Sequence, residues 1–219
     1  MADLFLTLGT ALKWAGLVLS PLLLLPFFVL VMPKPLGAWS ERLIKIIDRT
    51  SQIALTAAKR LAVIMVLAQL AVILGRYVYG WSATWLNEIV IYSFAGMFLL
   101  AAAHALKADD HVRVDILRTQ MTLRQRALVD FAGIYLFVLP ICALILWSAV
   151  SPSFVRSWAQ FEGSRESDGL PIYFLFRTLV PVFAGLVMAQ GLAEALKVAL
   201  RLRGLRRLDE DEPVRSGVG

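Results

Sequence analysis

Five stretches of this chain are apolar enough and long enough to lie in a bilayer: Leu12–Met32, Leu61–Tyr79, Trp85–Leu106, Phe131–Val155 and Ile172–Leu200. A helix crosses the hydrocarbon core with about 20 predominantly apolar residues. Backbone at that depth has no water to bond to, so only helices and closed barrels span it. Hydrophobic residues make up 59% of the chain, against roughly 45–50% in soluble domains, and here the excess comes in long runs. These observations predict an all-α integral membrane protein. The expected architecture is a bundle of four core transmembrane helices plus an N-terminal hydrophobic helix and an interfacial amphipathic helix. The corresponding division is 1–37 for the N-terminal hydrophobic segment, 38–56 for the amphipathic helix, 57–200 for the four-helix unit and 201–219 for a polar tail. The segments between the runs are too short for a separate soluble domain.

The net charge of +6 points to membrane orientation and not to nucleic acid. Lys34, Arg42, Lys45, Arg49, Lys59 and Arg60 lie between the first and second runs. Lys107, Arg113, Arg118, Arg124 and Arg126 lie between the third and fourth, and Lys197, Arg201, Arg203, Arg206, Arg207 and Arg215 close the chain. The other two connections hold Arg76, and Arg156 with Arg165 offset by Glu162, Glu166 and Asp168. Basic loops stay on the cytoplasmic side, so the pattern predicts a multi-pass protein with its C-terminus in the cytoplasm.

The N-terminal run lacks the basic start and small-residue cleavage site of a secretory signal. With Pro21 and Pro26 inside it, it either spans, giving five crossings, or dips in, giving four. In the segment after it, Trp39, Leu43, Ile46, Ile47 and Ile53 recur at helical spacing, with Glu41, Arg42, Lys45, Asp48, Arg49 and Gln52 on the other face. That pattern suits an interfacial helix, with Ser40 as N-cap and Trp39, Arg42, Lys45 and Arg49 at the lipid phosphates. A cytoplasmic extension of the next membrane helix is the alternative. Thr122 is placed to cap a helix starting at Leu123, and 160–171 has the composition of a loop.

Few residues carry chemistry. Arg76 and Glu88 flank the short turn 80–84, where they can pair with each other or reach headgroups. His111 and Asp115 stand four apart, but two ligands do not make a structural zinc site. His104 and His111 lie too close together in sequence to clamp a haem from two sides. Cys142 has no cysteine partner and reads as a packing residue. Trp81, Trp85, Trp147 and Trp158 read as interface anchors. No catalytic set, cofactor motif, substrate site or metal site is expected, and no internal repeat of the kind that builds complete secondary transporters is visible.

Several motifs together resemble the small membrane subunit of tripartite ATP-independent periplasmic (TRAP) transporters. They are Arg76-Tyr77, Trp85-Leu86-Asn87-Glu88, the run Ala101 to Lys107, His111-Val112-Arg113-Val114-Asp115, Gly169-Leu170-Pro171 and Pro181. The similarity covers roughly Ala57 to Leu200. It implies a non-enzymatic scaffold for a large sodium-coupled elevator subunit. That subunit would import a small organic acid handed over by a periplasmic binding protein. Arg76, Trp85, Glu88, His111, Arg113 and Asp115 become candidates for structural or subunit contacts, with membrane phospholipids as further partners. An independent small carrier, or a redox or enzyme subunit, are the competing readings.

Overall fold

A computed structural model describes residues 23–31, 33–108, 121–149 and 151–205. The elements in chain order are α1 (Leu25–Val31), α2 (Pro33–Tyr77), α3 (Thr84–Ala108), α4 (Leu123–Gly133), a π-helical turn (Ile134–Val138), α5 (Leu139–Ala149), α6 (Pro152–Ala159) and α7 (Tyr173–Leu202). Among the described residues, four helical spans are long and apolar enough to cross a membrane: Leu36–Tyr77, Thr84–Ala108, Leu123–Ala149 and Tyr173–Leu202.

The longest helix departs from expectation. The 45 residues of α2 run through the anticipated interfacial helix and the second apolar run without a break. At 1.5 Å per residue the helix is about 67 Å long, twice the hydrocarbon thickness. Residues 38–56 are therefore the extension of a membrane helix and not a separate one. Ser40 is not a cap: it is buried inside the helix, and its hydroxyl donates to the Leu36 carbonyl at 2.8 Å. The buried stripe is Ser40, Ile44, Ile47, Ser51, Ala54 and Ala58. Steps of three and four residues keep these on one side of a helix. Trp39, Ile46 and Ile53, grouped with Ile47 in the sequence reading, instead point outward.

α7 organises the bundle, with every other element packing against it. From Gln190 to Leu200 its residues are buried, Glu194 alone being intermediate. Ile44 and Ile47 of α2 and Val29 of α1 meet Leu192, Leu196 and Leu200 there. Phe27 sets its ring edge-on to Phe131 and Tyr135, and the Tyr135 hydroxyl donates to the Leu23 carbonyl. Seven residues of α1 cover only about 10 Å. The rest of the expected N-terminal membrane segment lies outside the described residues, except for 23 and 24.

Thr122 caps α4 as anticipated, with a reciprocal capping box to Gln125. The expected run Phe131–Val155 is divided twice. Pro140 brings no N–H, and its ring crowds the carbonyl four residues back. One turn earlier the ladder widens, and the Leu139 N–H bonds to the Ile134 carbonyl five residues back. The helix then ends at Ala149, and Pro152 starts the short α6. Prolines near a helix start fit because the first N–H groups have no partner to lose.

Small residues let the helices approach closely, as membrane interfaces favour. A Cβ added to Gly96 of α3 would stand 2.7 Å from Leu61 Cδ1 of α2. Leu61 can swing away from one methyl but not from a branched side chain. Gly96→Ile is expected to force α2 and α3 apart at a cost of about 1–3 kcal/mol, lowering the unfolding temperature in detergent by several degrees. Gly96→Ala should cost far less. Equal melting of the two variants would show that this contact does not hold the helices together.

Candidate functional site: two polar ties and an exposed basic stripe

At the end of the bundle where the basic segments gather, charged groups meet from three helices. Lys197 of α7 places its Nζ 2.8 Å from Glu194 Oε1 and 3.3 Å from Asp48 Oδ2. Lys107 of α3 approaches the same Asp48 oxygen at 3.5 Å. Gln190 donates through Nε2 to Asp48 Oδ1 and Glu194 Oε1, each at 3.0 Å. Its Oε1 accepts from the Ser51 hydroxyl at 2.5 Å. Two ammonium groups are thus balanced by two carboxylates, and the Gln190 amide joins them to α2. The Lys197 side chain is only 7% exposed, that of Lys107 30%.

Of these contacts only Lys197–Glu194 and Gln190–Glu194 have local spacing; those of Asp48 do not, since it lies 142 residues before Gln190. Asp48 had been placed with the lipid-facing polar residues of the amphipathic segment. The structure turns it inward. Arg42, Lys45 and Arg49 do lie exposed, interleaved with Trp39, Ile46 and Ile53. The result is an outward stripe of cations and large apolar groups. Lys59 and Arg60 add exposed charge nearly three turns beyond Arg49.

The opposite end carries a different tie. The Glu88 carboxylate accepts the Ser164 hydroxyl through Oε1 and the Leu170 N–H through Oε2, the latter at 2.6 Å. Ser164 N–H in turn bonds to the Leu170 carbonyl at 3.0 Å. A Cβ on Gly169 would overlap the Ser164 hydroxyl, so the loop folds over Glu88 only because this residue has no side chain. Arg177 Nη1 meets Glu162 Oε2 at 2.8 Å, and the Trp158 indole donates to Thr178 at 3.0 Å. These contacts tie 158–170 onto the start of α7.

Glu88 is therefore engaged with this loop and not with Arg76. Arg76 is exposed in the last turn of α2, where a positive charge suits the helix dipole. Trp85 stacks edge-on with Trp81 at 6.4 Å, and both are exposed enough to sit among headgroups. Trp147 is also exposed and Cys142 is buried. His111, Arg113 and Asp115 lie outside the described residues. Among the described residues, no group of three or more His, Cys, Asp and Glu is placed to hold a metal.

The model of the family described as tripartite ATP-independent periplasmic transporters, DctQ component, matches residues 64–201. Neither a curated protein nor a solved structure matches the chain. The matched residues include α3, α7 up to Arg201, Glu88, Lys107, Gln190, Glu194 and Lys197. Asp48 and Ser51 precede them.

Removing one partner of a buried ion pair leaves an uncompensated charge and costs about 3–5 kcal/mol. Lys197→Met should therefore strongly reduce folded yield and thermal stability. Lys107→Met, at a more exposed position, should do so much less. Adding Asp48→Asn to Lys197→Met should recover part of the loss, since neighbours in one network do not add independently. Thermal unfolding of the four proteins in one detergent measures this, and a larger effect from Lys107 would contradict the assignment of Lys197 as the central cation.

Proposed function

The chain belongs to the DctQ-component family of the tripartite ATP-independent periplasmic transporters, and from that membership we propose that this small membrane subunit serves as the fixed scaffold of its transporter. In this reading a large membrane subunit moves the substrate as a sodium-coupled elevator. A periplasmic binding protein delivers that substrate, a small organic acid. The present chain supplies an immobile wall. It sits in the bacterial inner membrane with the charged tie and the C-terminus on the cytoplasmic side, and with the Glu88 loop toward the periplasm. The distribution of basic residues supports that orientation.

The observation that carries the scaffold reading is the use to which the bundle puts its buried polar groups. Asp48 of α2 binds Gln190 and Lys197 of α7, and both of these bind Glu194 on their own helix. A transport site needs polar groups free to exchange partners with a solute or ion. A scaffold needs them committed, because a packed and fully bonded network resists sliding. In this assignment, Arg76, Trp85 and Glu88, with His111, Arg113 and Asp115, are contacts that build or display the subunit surface. The exposed Trp39, Arg42, Lys45 and Arg49 stripe, on the end of α2 beyond its apolar run, is assigned to lipid phosphates at the membrane surface.

Liposomes containing this chain alone should show no solute uptake. Uptake should appear when the large subunit, the binding protein and an inward sodium gradient are all supplied. Cysteine introduced at Ser167 should react with an impermeant thiol reagent from the periplasm, and at Ser216 only after the membrane is opened. Transport by the lone chain would overturn the scaffold reading, and the reverse labelling pattern would overturn the orientation.

A further inference from the structure

We propose that the acidic run Asp209–Glu212 folds back onto the outward cations of α2, Arg42, Lys45 and Arg49, and exchanges there with lipid phosphate. All three cations are exposed, and steps of three and four residues set them on one side of the helix. Among the described residues, none of the three is in an ion pair. Asp48, the carboxylate between Lys45 and Arg49 along the chain, is committed to Lys107, Lys197 and Gln190. Like charges at this spacing repel one another, so the stripe favours an anion laid along it. The run Asp209-Glu210-Asp211-Glu212 is the longest block of like charge in the sequence.

The end of α7 directs the chain to that stripe. Gly204 takes a positive φ of +68°, which glycine adopts without a steric penalty. Its N–H bonds to the Arg201 carbonyl at 3.0 Å, and the Leu205 N–H reaches back to the Leu200 carbonyl at 3.0 Å. This paired ending draws the chain back beside the last turn of the helix. Leu205 then lies against α2, where a Cβ added to Gly37 would stand 3.5 Å from its Cδ1. Every fourth residue from Gly37 follows one ridge of α2, through Glu41 and Lys45 to Arg49. Arg42, Lys45 and Arg49 lie about 8, 12 and 18 Å along the helix from Gly37. Extended chain carries Asp209 to about 14 Å from Leu205 and Glu212 to about 25 Å. The four carboxylates therefore cover the span that the three cations occupy. A tethered anion is present at high local concentration without any partner. Anionic lipid displaces it only by supplying many phosphates at the same surface.

The proposal shares with the functional reading only the lipid assignment of this stripe and is independent of the scaffold role. Its test uses the full chain with Cys142→Ala, in nanodiscs of phosphatidylcholine, with Glu210→Cys and Ile46→Cys introduced together. Ile46 is exposed and lies between Arg42 and Arg49. The control pairs Glu210→Cys with Thr56→Cys, about 28 Å from Gly37 along α2 and beyond the roughly 18 Å that the chain to Glu210 can span. Under mild oxidation the Ile46 pair should form its disulfide about tenfold faster or more, read by mass spectrometry of the digested protein. Surface ion pairs are weak singly, so two charges are changed at once. Lys45→Glu with Arg49→Glu should slow the reaction by about tenfold. Adding Asp209→Lys, Asp211→Lys and Glu212→Lys should restore it. In nanodiscs of phosphatidylglycerol the pair with native charges should link several-fold more slowly. A rate no faster than that of the Thr56 pair, or no response to charge reversal, would overturn the docking. Equal rates in the two lipids would overturn the exchange.

Discussion

An ammonium group held 2.8 Å from one carboxylate and 3.3 Å from another, with only 7% of its side chain exposed, is costly unless every neighbour is in place. Lys197 imposes that condition on the whole of one end of the bundle. It requires Asp48 to come from α2, which requires α2 to remain helical far past its apolar stretch. It requires Glu194 and Gln190 to lie on the same face of α7, which spacings of three and seven residues provide. Gln190 then needs an acceptor partner and a donor partner, and Ser51 completes the set by donating to its carbonyl oxygen. The surrounding apolar contacts of Ile44, Ile47, Leu192 and Leu196 keep water away. Exclusion of water strengthens the pairing and raises the penalty for losing any part of it.

That arrangement explains why α7 is enclosed at one half and open at the other. Near Tyr173 it still meets a groove between α3 and α5. From Gln190 onward it is surrounded by α1, α2, α4 and the π-helical turn. A helix anchored by charge at one end and by loop contacts at the other has little freedom to slide or rotate. Gly191 adds to this, since a Cβ there would stand 3.2 Å from Val138 Cγ1 in the π turn. The irregular backbone before Pro140 thus sits where close approach to α7 is needed.

The four membrane helices, the Thr122 cap and the 160–171 loop were legible from hydropathy and local residue chemistry. The same signals misjudged α2. Lys59 and Arg60 interrupt its apolar run, so hydropathy marked a boundary where the backbone continues. Helical periodicity located a two-faced segment around residues 39–53, but Trp39, Ile46 and Ile53 face outward while Ile44 and Ile47 are buried. The buried side carries Ile44 and Ile47 beside Ser40, Ser51, Ala54 and Ala58, and the two isoleucines share one apolar cluster with Leu192, Ala193, Leu196, Ala199 and Leu200 of α7. The sequence left Glu88 either to pair with Arg76 or to reach headgroups. Arg76 was the nearest opposite charge along the chain, whereas the groups that bind Glu88 lie 76 and 82 residues away. Local patterns report what a residue needs, and the partner that meets the need is chosen by topology.

The two ties differ in kind, and the difference bears on what each end does. At the basic end, side chains from three helices bind one another, so the contacts determine how whole helices sit. At the loop end, Glu88 binds a hydroxyl and a backbone N–H, so the contact determines the shape of a connecting segment. A carboxylate that caps backbone donors orders a loop at low mass and leaves the outer residues of that loop available. Arg165, Glu166, Ser167 and Asp168 are accordingly exposed while Ser164 and Leu170 on either side are held. The loop presents a charged tip on a fixed base. For a subunit proposed to be stationary, a rigid helical end facing one compartment and a shaped, charged loop facing the other is a coherent division of labour between the two surfaces.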